Sequence, residues 1–153
     1  MSAIAVTTGC PVCTPDPRRA FRPGPPAARA QVNGPEDAVA LVTPLLAGRD
    51  REHCVLVTLD NRHRLLGVRT VSVGTVDHTF MAPREVFRDA LSAGASAVFI
   101  AHNHPSGDPE PSPDDRLITR RLAAAGATLG IELLDHLVIG DPGWMSLAHL
   151  GVL

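Results

Sequence analysis

Two histidines stand one residue apart, His102 and His104, ahead of a turn-rich loop and the tetrapeptide Ser112-Pro113-Asp114-Asp115. In an extended backbone, residues i and i+2 point to the same side, so two imidazoles about 6–7 Å apart along a strand can converge on one ion. The loop from Pro105 to Pro111 turns the chain back. Ser112 then has the marks of a helix N-cap, with Pro at the first helical position and an acid three residues after the cap. Asp115 becomes a third ligand, held on a rigid first turn. Two histidines and one carboxylate leave a tetrahedral ion one position short. A water suits that position, so the pattern points to a catalytic site and not a closed structural one.

Each half of the pattern also has a plainer reading. An HxH pair is common without a metal, and Ser-x-x-Asp ahead of an apolar helix is ordinarily only a cap. Their joint context favours chemistry: the apolar run Ser96–Ala101 leads into the histidines, a Pro/Gly loop follows, and the cap fixes the acid. Spacing alone leaves Asp114 open as a competitor to Asp115. Asp108 and Glu110 sit in the loop, where precise ligation is harder. The Ser112 hydroxyl has two roles open to it. As a cap it accepts from the Asp115 backbone N–H and stabilises the helix by about 1 kcal/mol. It can also donate to a developing oxyanion. His136 fits either a support for a ligand or a satisfied core histidine, and the core reading is the simpler. His53, His63, His78 and His149 carry no pattern.

The run HNHPSGDPEPSPDD resembles the signature of RadC-type proteins, which carry a JAMM (MPN-type) metallopeptidase domain. That signature is an upstream Glu, then HxH, seven residues, Ser, two residues and Asp, and His102, His104, Ser112 and Asp115 stand at this spacing. Gly74-Thr75, Pro83-Arg84-Glu85-Val86-Phe87, Leu129-Gly130-Ile131 and Asp135-His136-Leu137-Val138-Ile139-Gly140 match as well, so the similarity covers residues 50–151. It implies zinc held by His102, His104 and Asp115, an oxyanion-stabilising Ser112, and a catalytic Glu before the first strand. Glu52, in Arg51-Glu52-His53, is the best match for that Glu. Without the resemblance Glu52 would read as an ordinary surface charge, and Glu85, its rival, is explained by the dipole of the helix it opens. Family members also carry a helix-hairpin-helix module ahead of this domain. Residues 1–33 leave no room for one, so no DNA role through that module is expected.

The chemistry implied is hydrolysis. Zinc lowers the pKa of its water toward about 7, and a nearby carboxylate takes the proton and returns it to the leaving amine. The expected function is a zinc-dependent hydrolase that cleaves a peptide or isopeptide bond in a peptide or protein substrate. The alternatives are a DNA-repair-associated accessory protein and a non-catalytic MPN binding module. A net charge of −2 and 3% aromatics with no Tyr do not favour nucleic acid as a partner of this domain.

The 153 residues and 44% apolar content suit one domain of ordinary core. No stretch is long enough to span a bilayer, and the N-terminus lacks the charged and apolar regions of a secretory signal, so the cytoplasm is expected. Every basic side chain is Arg, which reads as composition bias. Cys10 and Cys13 form a CxxC with no second pair to close a zinc site, and Cys54 lies in an apolar strand. Residues 1–33 read as a Pro/Arg-rich disordered tail, with six prolines between Pro11 and Pro26. Residues 34–153 form the domain.

Its elements follow from pattern. A helix runs from Pro35 to Ala47 with acids in its first turn, and Pro44 is expected to kink it. Cys54–Leu59 and Leu65–Val73 form a hairpin. Pro83–Ala93 is a helix with Val86, Phe87, Ala90 and Leu91 inward. Ser96–Ala101 is a buried strand, and Ser112–Ala125 a helix with Leu117, Ile118 and Leu122 inward. Gly130–Gly140 and Trp144–Leu147 are strands, and Arg116, Arg120 and Arg121 a solvated face. The sum is α/β, a three-layer mixed sheet with helices on both faces. The resemblance implies the same, the MPN/JAB fold akin to the cytidine deaminase architecture.

Overall fold

A computed structural model describes residues 29–75 and 81–153. Cys10, Cys13, His78 and the tail up to residue 28 lie outside them. The order is α1 (Pro35–Leu46), β1 (His53–Leu59), β2 (Leu65–Val73), α2 (Pro83–Ser92), β3 (Ala97–Asn103), α3 (Pro113–Leu129), β4 (Glu132–Gly140) and β5 (Gly143–Ser146). The five strands form one sheet in the order β2-β1-β3-β4-β5. Only β3 and β4 run parallel, and α3 supplies the crossover that a parallel pair requires.

The three layers follow from the alternation of side chains. Cys54, Leu56, Val98 and Ile100 face α2 and α3, burying Val86, Phe87, Ala90 and Leu122. Val55, Val57, Phe99 and Ala101 face α1, burying Ala38, Val42 and Leu46. β1 and β3 are covered on both sides, which is why they read as continuous apolar runs. The expected α/β mixed sheet is thus the observed fold.

Three departures have physical causes. Residues 29–33, expected in the tail, join the domain: the Leu65 N–H donates to the Ala30 carbonyl, the Val32 N–H to that of His63, and Val32 is buried. α3 runs past Ala125 to Leu129 because Gly126 is no stop. A side chain at Gly126 would meet Phe87 Cζ at 3.0 Å, so the glycine lets α3 approach α2 closely. The helix ends at Gly130, whose φ of 70° is the left-handed cap. The inward stripe of α3 is Asp115, Thr119, Leu122 and Gly126, while Leu117, like Leu91 on α2, is exposed. Asp115 and Thr119 point inward where the apolar pattern put Leu117, while Leu122 is inward as expected and Ile118 packs against the same core. α1 continues through Pro44 to Leu46.

Candidate metal and catalytic site

β3 carries the first imidazole to the end of the sheet. Cys54 pairs with His102 across the β1–β3 ladder, and alternation turns His102 toward the α2/α3 face with Ile100 and Val98. His104 lies just past the strand, where its N–H donates to the Ile139 carbonyl on β4 at 3.0 Å. The loop that follows is pinned to β4. The Asp141 N–H donates to the Gly107 carbonyl at 2.8 Å, and Gly107 has a φ of 87°. A Cβ at Gly140 would overlap that carbonyl and come within 2.8 Å of Pro109, so loop and strand touch through backbone alone.

α3 delivers the carboxylate through its cap. The Asp115 N–H donates to Ser112 Oγ at 3.1 Å, and the Ser112 N–H donates to Asp115 Oδ2 at 2.8 Å. This reciprocal pair is a capping box, with aspartate in place of the usual glutamate. The Ser112 hydroxyl accepts from the helix as expected, and its one hydrogen goes to Asp115 Oδ2 at 2.6 Å.

The three side chains converge. His102 Nε2 lies 3.0 Å from His104 Nε2 and 3.3 Å from Asp115 Oδ1, and His104 Nε2 lies 3.5 Å from Asp115 Oδ2. A tetrahedral ion with bonds of about 2.0–2.1 Å spaces its ligands about 3.3–3.4 Å apart. These residues could therefore hold a metal ion. His104 Nδ1 lies 2.8 Å from the Asp108 carbonyl oxygen, which can only accept, so Nδ1 carries hydrogen and Nε2 is left for a proton or a metal. The rivals stand apart: Asp114 is exposed, the Asp108 carboxylate accepts from the Glu110 N–H, and Glu110 pairs with Arg116 at 3.0 Å.

The electrostatics follow from this crowding. Burial works to raise the Asp115 pKa, but His102, His104 and the Ser112 hydroxyl outweigh it and hold the carboxyl well below its ordinary range. The Asp115 side chain raises His104, against its partial burial. The Asp108 carbonyl and the charges of Asp115 and Glu52 add to that rise.

Glu52 stands immediately before β1, two residues from Cys54, which puts it on the side of the sheet where His102 points. It is only 8% exposed, and its charge acts on His104. Its backbone is clamped, with the Glu52 N–H donating to Thr75 and its carbonyl accepting from Gly74. Glu85 is half-buried and pairs with Arg88. The Cys54 thiol is pushed up to about 12 by burial, against a bond with Ser72, and is inert.

Three further residues support the site, and two of them, Asn103 and Thr119, were missed by sequence reasoning. Asn103, between the histidines, accepts from the His53 N–H at 2.8 Å and donates to the Arg51 carbonyl at 3.0 Å, so it ties β3 to the segment bearing Glu52. His136 is a fully buried histidine, as expected, but its ring also lies against His102. Thr119 contacts His136 from α3. Its place between the two histidines was the available signal for Asn103, and the sequence offered none for Thr119.

A family model described as RadC-like JAB domain matches residues 32–152. A UPF0758 protein of Desulfitobacterium hafniense (strain DSM 10664 / DCB-2) is 42% identical over 128 residues, 84% of this chain and 56% of that protein. Relatives of the same name from Moorella thermoacetica and Shouchella clausii are 44% and 43% identical, over 82% and 80% of this chain and 55% and 54% of theirs. The chain spans about half the length of the curated relatives it matches. Among the described residues, no helix is long and apolar enough to cross a membrane.

Proposed function

The chain belongs to the RadC-like JAB domain family, and on that premise we propose that it is a zinc-dependent hydrolase cleaving a peptide or isopeptide bond. The observation that carries the reading is the convergence of His102 Nε2, His104 Nε2 and the Asp115 carboxylate at 3.0–3.5 Å. Two imidazoles and one carboxylate at this spacing suit zinc and leave a fourth position open.

Zinc bound there supplies Lewis-acid chemistry, activating a water and polarising the scissile carbonyl. The remaining work falls to side chains. Glu52 takes a proton from the attacking water and gives it to the leaving amine, so the water's OH ends on the carbonyl carbon and its hydrogen on nitrogen. Burial suits Glu52 to this role, because with few waters around it the proton it takes up passes to the substrate and not to solvent. Ser112 steadies the developing oxyanion by turning its hydrogen from Asp115 Oδ2 toward the substrate. The substrate is a peptide or protein.

The test is elemental analysis followed by assay on peptide and isopeptide panels. About one zinc per chain and cleavage that is lost on chelation and restored by zinc are expected. Bound zinc with no cleavage of any panel member would replace this reading with that of a binding module.

A further inference from the structure

We infer that Thr119 and His136 are positioning residues that fix the tautomer of His102 and so keep its Nε2 free for a metal. The inference deepens the proposed function, and it rests on a hydrogen-bond chain whose direction has one solution.

The chain starts at a group that can only accept. The Asp115 backbone carbonyl lies 2.6 Å from Thr119 Oγ1, so the threonine's one hydrogen is given to it. Thr119 Oγ1 also lies 2.6 Å from His136 Nδ1, and with its hydrogen used it must accept there. His136 therefore carries its hydrogen on Nδ1. Its Nε2 keeps the lone pair and lies 2.8 Å from His102 Nδ1, which must donate. His102 thus has its hydrogen on Nδ1 and an open Nε2, and that nitrogen faces His104 and Asp115. Reversing the chain would spend the threonine hydrogen on His136 and leave Oγ1 and the Asp115 carbonyl oxygen 2.6 Å apart with no hydrogen between them.

The two histidines are oriented by different means. His104 is fixed in one step, by the Asp108 carbonyl. His102 meets another imidazole, which can donate or accept, so its state is settled only two residues further on. Thr119, His136 and the His102 ring are completely buried, so water does not compete for these bonds. The chain also closes on itself. It begins on the backbone of Asp115 and ends on a ring facing the Asp115 carboxylate, so the α3 first turn and β3 are held in one register through β4.

Partners of this kind typically change metal affinity by about 10- to 100-fold. Thr119→Val removes the hydroxyl at nearly constant volume and should weaken zinc binding within that range in chelator competition. Thr119→Ser, which restores the hydroxyl, should recover most of the loss. Nitrogen-15 NMR of the metal-free wild-type protein reads the tautomers without any substitution, and it should show hydrogen on Nδ1 of both His102 and His136. His102 with hydrogen on Nε2 and none on Nδ1 would overturn the inference, as would folded Thr119→Val with wild-type zinc affinity. The NMR arm needs no metal, so a wild-type protein that binds no zinc would sink the proposed function and leave this inference to be judged by its tautomers.

Discussion

Ser112 gives both its backbone and its hydroxyl hydrogen to one oxygen of Asp115, Oδ2, at 2.8 and 2.6 Å. The cap of α3 and the carboxylate of the candidate metal site are therefore one structure. Oδ2 is held by the helix terminus, and Oδ1 is turned toward His102 at 3.3 Å. Ser112→Ala should cost about 1 kcal/mol of stability, the usual value of an N-cap. It should also weaken zinc binding, because it loosens the carboxylate. Denaturant titration and chelator competition on the same variant measure the two effects, and a change in neither would separate the cap from the site.

Removing His102 and His104 together should abolish zinc binding while the sheet persists, since β1, β3 and β4 bury a core on both faces. In the wild type, zinc held at 100 times its dissociation constant should contribute about 2.7 kcal/mol. Chelation should then lower the melting temperature without unfolding the chain at room temperature. Identical melts with and without chelator would count against the site.

Glu52→Gln should keep both zinc and fold, because the side chain is outside the group of donors that meet. Cleavage should fall by about 10²–10⁴-fold, the range of general acid–base catalysis. Full activity in this variant would assign the proton transfer to another group.

Gly140→Ala tests the coupling between β4 and the histidine loop. Its methyl would press on the Gly107 carbonyl and on Pro109. A destabilisation of about 1–3 kcal/mol is expected from such overpacking. Zinc affinity should fall with it, since His104 hangs from the same backbone through Ile139. A variant with unchanged melting and metal content would show that the loop is free of β4.

Asp60 gives a pH-dependent prediction far from the site. Burial pushes its pKa up, but bonds from the Arg64 and Arg62 backbone and from the Arg64 guanidinium win and lower it to about 2. A depressed carboxyl stabilises the fold above its unfolded pKa of about 3.9, and that contribution fades as pH falls toward 2. Asp60→Asn should therefore melt below wild type at pH 7, and the gap should narrow between pH 4 and 2. A gap independent of pH would assign the loss to the turn's packing instead of its charge.

What the sequence determined by itself is local. HxH at the end of an apolar strand and Ser-Pro-Asp-Asp at a helix start act through neighbours a few residues away, and each is visible as spacing. Continuous apolar runs in β1 and β3 likewise announced strands, and that of β3 a buried one. Tertiary structure decided what depends on distant partners. Asp114 and Asp115 are equivalent in spacing, and the phase of α3 against the sheet brought Asp115 to the imidazoles and left Asp114 exposed. That same phase put Thr119 inward and Leu117 out, against hydrophobic periodicity, because Thr119 bonds to Asp115 and His136 inside. The Glu52 charge acts on His104 across some fifty residues only because β1 runs antiparallel to β3 with Cys54 opposite His102. Strand register and helix phase are set by the whole core, so no local window of sequence contains them.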